Sequence, residues 1–423
     1  MTAPAAQAQM RLPNVGLPQV LPDVNRTLTG LADQTDARAL QDARQLQVRD
    51  LIRRNRATVE ADPSGAAIVR GEIVMLSPTN ADLAAAQVAG YSVLRVRTLD
   101  GLDARMAVLR APQGATTARA LTRIRTLEPA ESFDFNHIYM QSSALTAEAS
   151  QAHLPETPTK SAAPSGDEHG RVGLIDGGID VGHAVFTDVS IHPHGCPGVQ
   201  VPTAHGTAVA SLMVGRSAQF HGAAPGADLY AADVYCGQPT GGAVDALADA
   251  LAWLVRERVA VINVSLVGPP NTTLEAVVRM VIARGHLIVA AVGNDGPAAP
   301  PLYPASYPGV VGVTAVDTHR RVLIEAARGP QVEFAAPGAD ICAAKSTQAF
   351  DLVRGTSFAA PIVAGLLAAE LREPDKDAAL RAVAALASHA IDLGARGPDP
   401  VYGYGLVGGD LGPPPELVGL RAQ

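Results

Sequence analysis

The 423-residue sequence has only three cysteines, no apolar run long enough to span a bilayer and no excess of basic charge. Each shortage excludes something. Cys196, Cys236 and Cys342 form no C-x-x-C pair and no His/Cys ligand spacing, so neither a zinc site nor any other metal or cofactor is assigned. Without 18 or more consecutive apolar residues there is no transmembrane helix. A formal net charge of −8 gives no reason to expect nucleic acid or an anionic membrane surface as partner.

The first residues, "MTAPAAQAQMRLPNVGLPQ", lack the charged and apolar regions of a signal peptide, yet "APAAQAQ" has the Ala-x-Ala form of a cleavage site. Two readings stand: a disordered Ala/Pro start, or the remnant of a truncated export signal. The second places the mature protein outside the cytoplasm, periplasmic or secreted. An odd cysteine count fits either, as one disulfide plus a buried thiol after export or as three buried thiols in the cytosol.

With 47% hydrophobic and 17% charged residues, the chain can build one large core plus a smaller domain, or two to three domains. Residues 1–65 are Pro-rich, then carry "DARALQDARQLQVRDLIRRNRA", whose thin apolar stripe predicts a surface or partner-seeking helix. Residues 66–140 alternate as β-α-β-β-α-β, with "FDFNHIYM" as the last strand, the order of a small ferredoxin-like α+β domain. Its arginines are expected on a solvated face. Residues 141–168 have no apolar period and predict a linker or processing region, followed by a domain over 169–415.

In that last part, apolar strands such as "RVGLIDGG", "VAVINVSLV" and "HLIVAAVGN" alternate with amphipathic helices such as "TGGAVDALADALAWLVRER". This pattern predicts an α/β fold whose mostly parallel sheet is covered on both faces. Ligands of such sheets gather beyond the carboxyl ends of the strands. Asp176 ends the first strand, Asn294 ends "LIVAAVGN", Ser265 lies late in "VINVSLV", His205 opens "HGTAVASLMVG", and Ser357 opens "GTSFAAPIVAG". Singly, each has an ordinary reading: a cap, a turn, a structural histidine, a small-residue helix packed closely on its neighbours. Together, in the order Asp…His…Ser, they supply a nucleophile, a base and an orienter for the base. The order and the absence of G-x-S-x-G argue against an α/β-hydrolase, and no G-x-G-x-x-G follows the first strand to hold a nucleotide. "HPHG" at 192–195 is expected to be a solvated loop rather than a metal site.

Across residues 171–410 the chain resembles the subtilisin-like serine peptidases, on "VGLIDGGID", "HGTAVASLMVG", "VINVSLVGP", "IVAAVGNDG", "EFAAPGADI", "GTSFAAPIVAG" and "GYGLVGG". The resemblance implies a three-layer subtilisin-like fold and a serine endopeptidase acting on proteins or peptides. Ser357 would be the nucleophile, His205 the general base and acid, Asp176 its orienter and Asn294 an oxyanion donor. Substrate backbone would lie along Ser265, Leu266, Val267 and Gly268 and along Ala291, Val292 and Gly293. Residues 66–140 resemble the family's propeptide, an intramolecular chaperone and inhibitor cut off by the enzyme itself. Gly177 stands where the family usually has Ser or Thr, Phe358 and Ile362 replace Met and His, and Val267 replaces a Gly, which implies small or medium residues at the cleaved bond. Cys196 and Cys236, in loops flanking the His205 region, form a disulfide if the chain is exported, with Cys342 a free thiol. A catalytically silent binding protein on the same fold is the alternative, and a fluorophosphonate probe that labels Ser357 separates the two.

Overall fold

Alternation along four residues decides how the N-terminal part is built. Ile73 and Met75 face one core with Ala120, Leu121, Ile124 and Phe133, while Val74 and Leu76 face another shared with Leu251 and Leu274. Successive strand residues point to opposite faces, so this strand is buried on both. The computed structural model describes residues 40, 42–128, 132–141, 170–196, 201–217, 220–345 and 349–411. The linker expected over 141–168 lies, past Gln141, outside the described residues.

A helix, α1 (42–54), precedes an antiparallel sheet. Short β1 (Val59–Ala61) pairs with the start of the long β2 (Ala67–Leu76). After α2 (Asn80–Val88), β3 (Ser92–Leu99) pairs with β4 (Ala104–Arg110), which pairs with β2; after α3 (Thr117–Leu127), β5 (Ser132–His137) takes the opposite edge of β2. This is a ferredoxin-like arrangement. Thr79 and Thr116 cap the two helices, Thr79 in a reciprocal pair with Asp82. The strand expected over 133–140 breaks after His137. Ile138 N–H bonds to Ala67 O, Tyr139 N–H to Gly242 O, and a two-residue β6 (Met140–Gln141) passes to the other domain.

That domain holds a seven-stranded parallel sheet. In spatial order it runs Phe334–Pro337, Val311–Val316, Leu287–Ala291, Val261–Val264, Arg171–Asp176, Asp228–Asp233 and Ile191–His194; in chain order these are β7 (Arg171–Asp176), β8 (Ile191–His194), β9 (Asp228–Asp233), β10 (Val261–Val264), β12 (Leu287–Ala291), β13 (Val311–Val316) and β14 (Phe334–Pro337). Helices α4 (Ala204–Val214) and α7 (Thr356–Glu370) cover one face, with α8 (Lys376–His389) outside α7. Helices α5 (Val244–Arg256) and α6 (Thr272–Ala283) cover the other. A hairpin, β15 (Ala339–Lys345) with β16 (Ala349–Arg354), leads into α7.

Three sequence expectations need correction here. "VAVINVSLV" is not one strand: it breaks at Ser265, and β11 (Leu266–Val267) leaves the sheet to pair with β6. "HPHG" is exposed but is not a loop: His192, Pro193 and His194 end edge strand β8, where His192 stacks on Tyr230 and His194 on Trp253 at 4.5 Å. Nor is α1 merely a surface helix. Val48, Leu51 and Ile52, at helical spacing, pack on Val59, Ala67, Val69, Ile138 and Ala243, at the seam between the domains.

The small domain lies on α5 and α6 and completes their ends. Asp134 Oδ2 accepts from Thr272 N–H (2.7 Å) and Thr272 Oγ1 (3.0 Å), and Asn136 Oδ1 accepts from Asp245 N–H (3.3 Å). Helix N-termini present unpaired N–H groups and positive dipole ends, and α5 has no side-chain cap of its own. Of the β3 arginines, Arg97 stays exposed as expected of a solvated face, while Arg95 is half-buried. Arg95 donates to Glu72 Oε2 and Asp245 Oδ2, both at 2.8 Å, because two buried carboxylates require a counter-charge.

Candidate active site

β7 delivers Asp176 at its carboxyl end, fully buried. Its Oδ1 accepts from the Gly177 N–H at 2.6 Å and from Gln141 Nε2 at 3.1 Å. His205, second residue of α4, sets Nδ1 3.0 Å from Oδ1 and 2.9 Å from Oδ2. Held this way, Nδ1 keeps its proton and Nε2 is the basic nitrogen. Nε2 has no hydrogen-bond partner among the described residues.

Thr203 starts the helix on which His205 sits. Its Oγ1 accepts from the Gly206 N–H at 3.0 Å. The same side chain explains the departure at Gly177, where an added Cβ would come within 2.6 Å of Thr203 Oγ1. A hydroxyl after the aspartate has no room here. Gly206 is as constrained, because a Cβ there would lie 2.4 Å from Gly177 O.

Ser357 stands second in α7, just after a strand-to-helix turn at Gly355, whose φ of 136° suits glycine alone. Phe358 brings its ring to 5.3 Å from the His205 imidazole, which places the start of α7 against the Asp176–His205 pair. The small residues that follow serve packing: Ala359, Ala360 and Ala364 are fully buried, and a Cβ on Gly365 would meet Ala223 Cβ at 2.6 Å. α7 is thus a core helix that carries Ser357 at its start.

Asn294 lies three residues beyond β12. Its Oδ1 accepts from the Thr356 N–H at 3.0 Å, while Gly293 N–H donates to Thr356 Oγ1 at 3.2 Å. The segments around Asn294 and Ser357 are therefore tied to each other.

Of the residues expected along the substrate backbone, Leu266 and Val267 pair antiparallel with Gln141 and Met140. Gly268 lies under the Tyr139 ring, where a Cβ would come within 2.6 Å. Ser265 turns its side chain inward, donating to Ser357 O at 3.0 Å. Ala291 and Val292 bury their side chains in the two cores on opposite sheet faces, so only their backbone is available to a substrate. Sulfurs of Cys196 and Cys236 lie 2.09 Å apart, and Cys342 is buried, where burial pushes its thiol up to about 12. Sequence reading missed Gln141, Tyr139, Thr203 and Thr356, whose roles depend on partners far away in the chain.

The sequence pattern of the subtilase family matches residues 167–405, more than half of the chain. The chain belongs to the subtilase family. Subtilisin BL of Lederbergia lenta is 32% identical over 249 residues, covering 56% of this subtilase and 90% of that protein. Minor extracellular protease Epr of Bacillus subtilis (strain 168) is 31% identical over 206 residues, covering 48% of this subtilase but 32% of Epr. Among solved structures, fervidolysin from Fervidobacterium pennivorans, described as a keratinolytic enzyme related to subtilisin, superposes over 81% of this subtilase and 60% of that chain, with a TM-score of 0.64 and 20% identity. That likeness shows the fold. The Prenylagaramide maturation protease PagA matches 57% of this subtilase and 92% of its own chain, with a TM-score of 0.51 and 27% identity.

Proposed function

We propose that this subtilase is a serine endopeptidase made as a self-processed precursor. Ser357 Oγ attacks the scissile carbonyl, and His205 Nε2 takes the hydroxyl proton and passes it to the leaving amine. Asp176 fixes the tautomer through Nδ1–H and stabilises the imidazolium. The Asn294 amide and the Ser357 N–H donate to the tetrahedral oxyanion, after which water hydrolyses the acyl-enzyme. No step needs a metal or cofactor.

One observation carries the reading. β6, the tail of the small domain, adds to β11 as an extended strand, and its Gln141 side chain bonds the same Asp176 oxygen that holds His205. Strand addition to a sheet edge is how extended peptides are recognised. The small domain accordingly acts as folding chaperone and inhibitor, with Tyr139, fully buried and donating to Pro269 O at 2.7 Å, as its anchor. Gln141 faces Leu266 in register, beside Ser265, whose hydroxyl donates to Ser357 O, so the cut is expected just after Gln141, at the Ser142–Ser143 bond. A Cys196–Cys236 disulfide supports work outside the cytoplasm, periplasmic or secreted.

The test compares the masses of the wild type and Ser357→Ala. The wild type should yield two fragments, the larger beginning at Ser143 or within a few residues of it, while the mutant stays whole. Intact wild type, in a preparation that still cleaves added peptides, would remove the propeptide role. Failure to cleave or to take up a fluorophosphonate would remove the peptidase reading.

A further inference from the structure

Asp233 ends β9, the strand beside β7, where its partner in register is Asp176. The residue is 2% exposed, and its carboxylate is only half satisfied. Oδ1 accepts from the Tyr235 N–H at 2.9 Å and the Cys236 N–H at 3.0 Å, while Oδ2 has no hydrogen-bond partner among the described residues. A buried carboxylate oxygen without a partner is costly, and what relieves it is a donor or a cation.

The disulfide stands against this group. A carboxylate oxygen of Asp233 and the sulfurs of Cys196 and Cys236 all lie within 4.8 Å of one another. Both sulfurs also lie near the Asp233 carbonyl oxygen, at 3.6 and 3.7 Å. Nothing in the sequence announces the group, because the cysteines are 40 residues apart and the aspartate reads as a strand end. Opened, the pair offers two thiolates beside a carboxylate that already lacks a partner. Two sulfurs and an oxygen are donors for a borderline-soft divalent cation such as Zn2+, bound at about 2.3 Å by sulfur and about 2.0–2.2 Å by oxygen. Tetrahedral donors at those lengths stand about 3.5–4 Å apart, which the spacing set by the fold allows.

We propose that, with its disulfide reduced, this subtilase binds one Zn2+ ion through Cys196, Cys236 and Asp233, with water completing the coordination. A dithiol gives two electrons and two protons to the disulfide and itself closes to a disulfide; the two new thiols release their protons to solvent as the cation binds. Disulfide and cation therefore exclude each other. What they share is a clamp. Beyond Cys196 the chain bridges to Gly178 at Pro202 and caps α4, the helix of His205, with Thr203. A link from Cys196 to the end of β9 holds the start of that path, covalently in an oxidising compartment and through the cation in a reducing one. The site needs no peptidase activity, so its test stands apart from that reading.

The test uses the full-length Ser357→Ala chain, reduced with dithiothreitol and desalted without air into metal-free buffer. Co2+ serves as the spectroscopic probe, followed by Zn2+. The reduced chain should take up one Co2+ with a sulfur-to-cobalt charge-transfer band that one equivalent of Zn2+ removes, and the oxidised chain should show no band. Zn2+ should raise the Tm of the reduced chain by about 3 °C or more and leave that of the oxidised chain unchanged. Cys236→Ser should lose the band. Asp233→Asn keeps an oxygen for the Tyr235 and Cys236 N–H groups, and it should weaken Co2+ binding about tenfold or more. Should that variant not fold, X-ray absorption at bound Zn2+ takes its place, with two sulfurs expected and a third refuting the site. No band in the reduced chain overturns the proposal, as does a band that survives Cys236→Ser or that Asp233→Asn leaves at full affinity. Should the reduced chain unfold without metal, Zn2+ present during reduction should keep its circular dichroism native, and unfolding despite Zn2+ also overturns the proposal.

Discussion

Pro361 lies four residues after Ser357, and the N–H it lacks is the one that would have bonded the Ser357 carbonyl inside α7. The Ser265 hydroxyl takes that place at 3.0 Å, and Asn263 Nδ2 in turn donates to Ser265 Oγ at 2.9 Å. A proline one turn into the helix thus frees an acceptor that ties the Ser357 backbone to the break between β10 and β11. Ser265→Ala should leave both Ser357 O and the Asn263 amide without this partner in a fully buried place. The expected cost is about 1–3 kcal/mol of stability, together with a fall in kcat. Thermal denaturation and steady-state kinetics check it, and an unchanged Tm with unchanged kcat would show the bond to be idle.

Asn294→Ala should lower kcat by about 10²–10³-fold while KM hardly moves, because its amide acts on charge that exists only in the transition state. Losing Asn294 Oδ1 also removes the acceptor for Thr356 N–H, so the stability of the variant should be measured alongside. Equal losses in substrate binding and in turnover would count against the oxyanion role.

Tyr139 rests against Gly268 so closely that a Cβ would come within 2.6–2.8 Å of its ring. Gly268→Ala should therefore push the Tyr139 anchor out and weaken the hold of the small domain. After processing, the separated domain should inhibit the variant at least tenfold less tightly than the wild type. Inhibition constants measured on Ser357-competent enzyme decide the point, and equal constants would mean that Tyr139 is not the anchor.

Asp62 links the small domain's β1–β2 turn to its last strand. Burial pushes its carboxyl up, but hydrogen bonds from His137, Ser64 and the Ala66 amide outweigh this and hold its pKa at about 2. His137 also faces Asn271 of the catalytic domain at 2.9 Å, so the pair sits at the interface. A folded-state pKa below the ordinary 3.8 means that Asp62 contributes its stability in full above about pH 4 and loses it as pH falls through about 2. Asp62→Asn should lower the stability of the precursor at neutral pH and remove that part of the acid dependence between about pH 4 and 2. Denaturant titrations at three pH values in that window measure it, and parallel pH curves for wild type and variant would refute it.

Cys196 and Cys236 are 40 residues apart in sequence, and closing a loop of that length by a disulfide is worth about 4 kcal/mol in the chain-entropy account. Cys196→Ser should cost a large part of that in oxidised protein and nothing in fully reduced protein. Peptide mapping under non-reducing conditions identifies the pair, and finding both thiols alkylatable would refute it.

The alternation of apolar strands with amphipathic helices was enough to show a parallel sheet, because both faces of such a sheet must be covered and the residues covering them recur at helical spacing. The placement of Asp176, His205, Asn294 and Ser357 was legible for a related reason: each follows a strand or opens a helix in a short motif, and the structure puts them at those strand ends and helix starts. The order of the small domain's elements was equally readable, as each helix carries its own threonine cap and each strand its own pattern. What lay beyond the sequence were the contacts between distant segments. Nothing near Asn136 in the chain says that it caps α5, which has no cap of its own; only the docking of one domain on the other brings them together. Nothing near Ser265 in the chain says that its hydroxyl donates to the Ser357 carbonyl that Pro361 leaves free. Arg44 looked like one more charge on a polar helix. Tertiary structure alone sets it against Asp295, 251 positions along the numbering, because the energy of a charge depends on what covers it, and covering is a property of the folded chain.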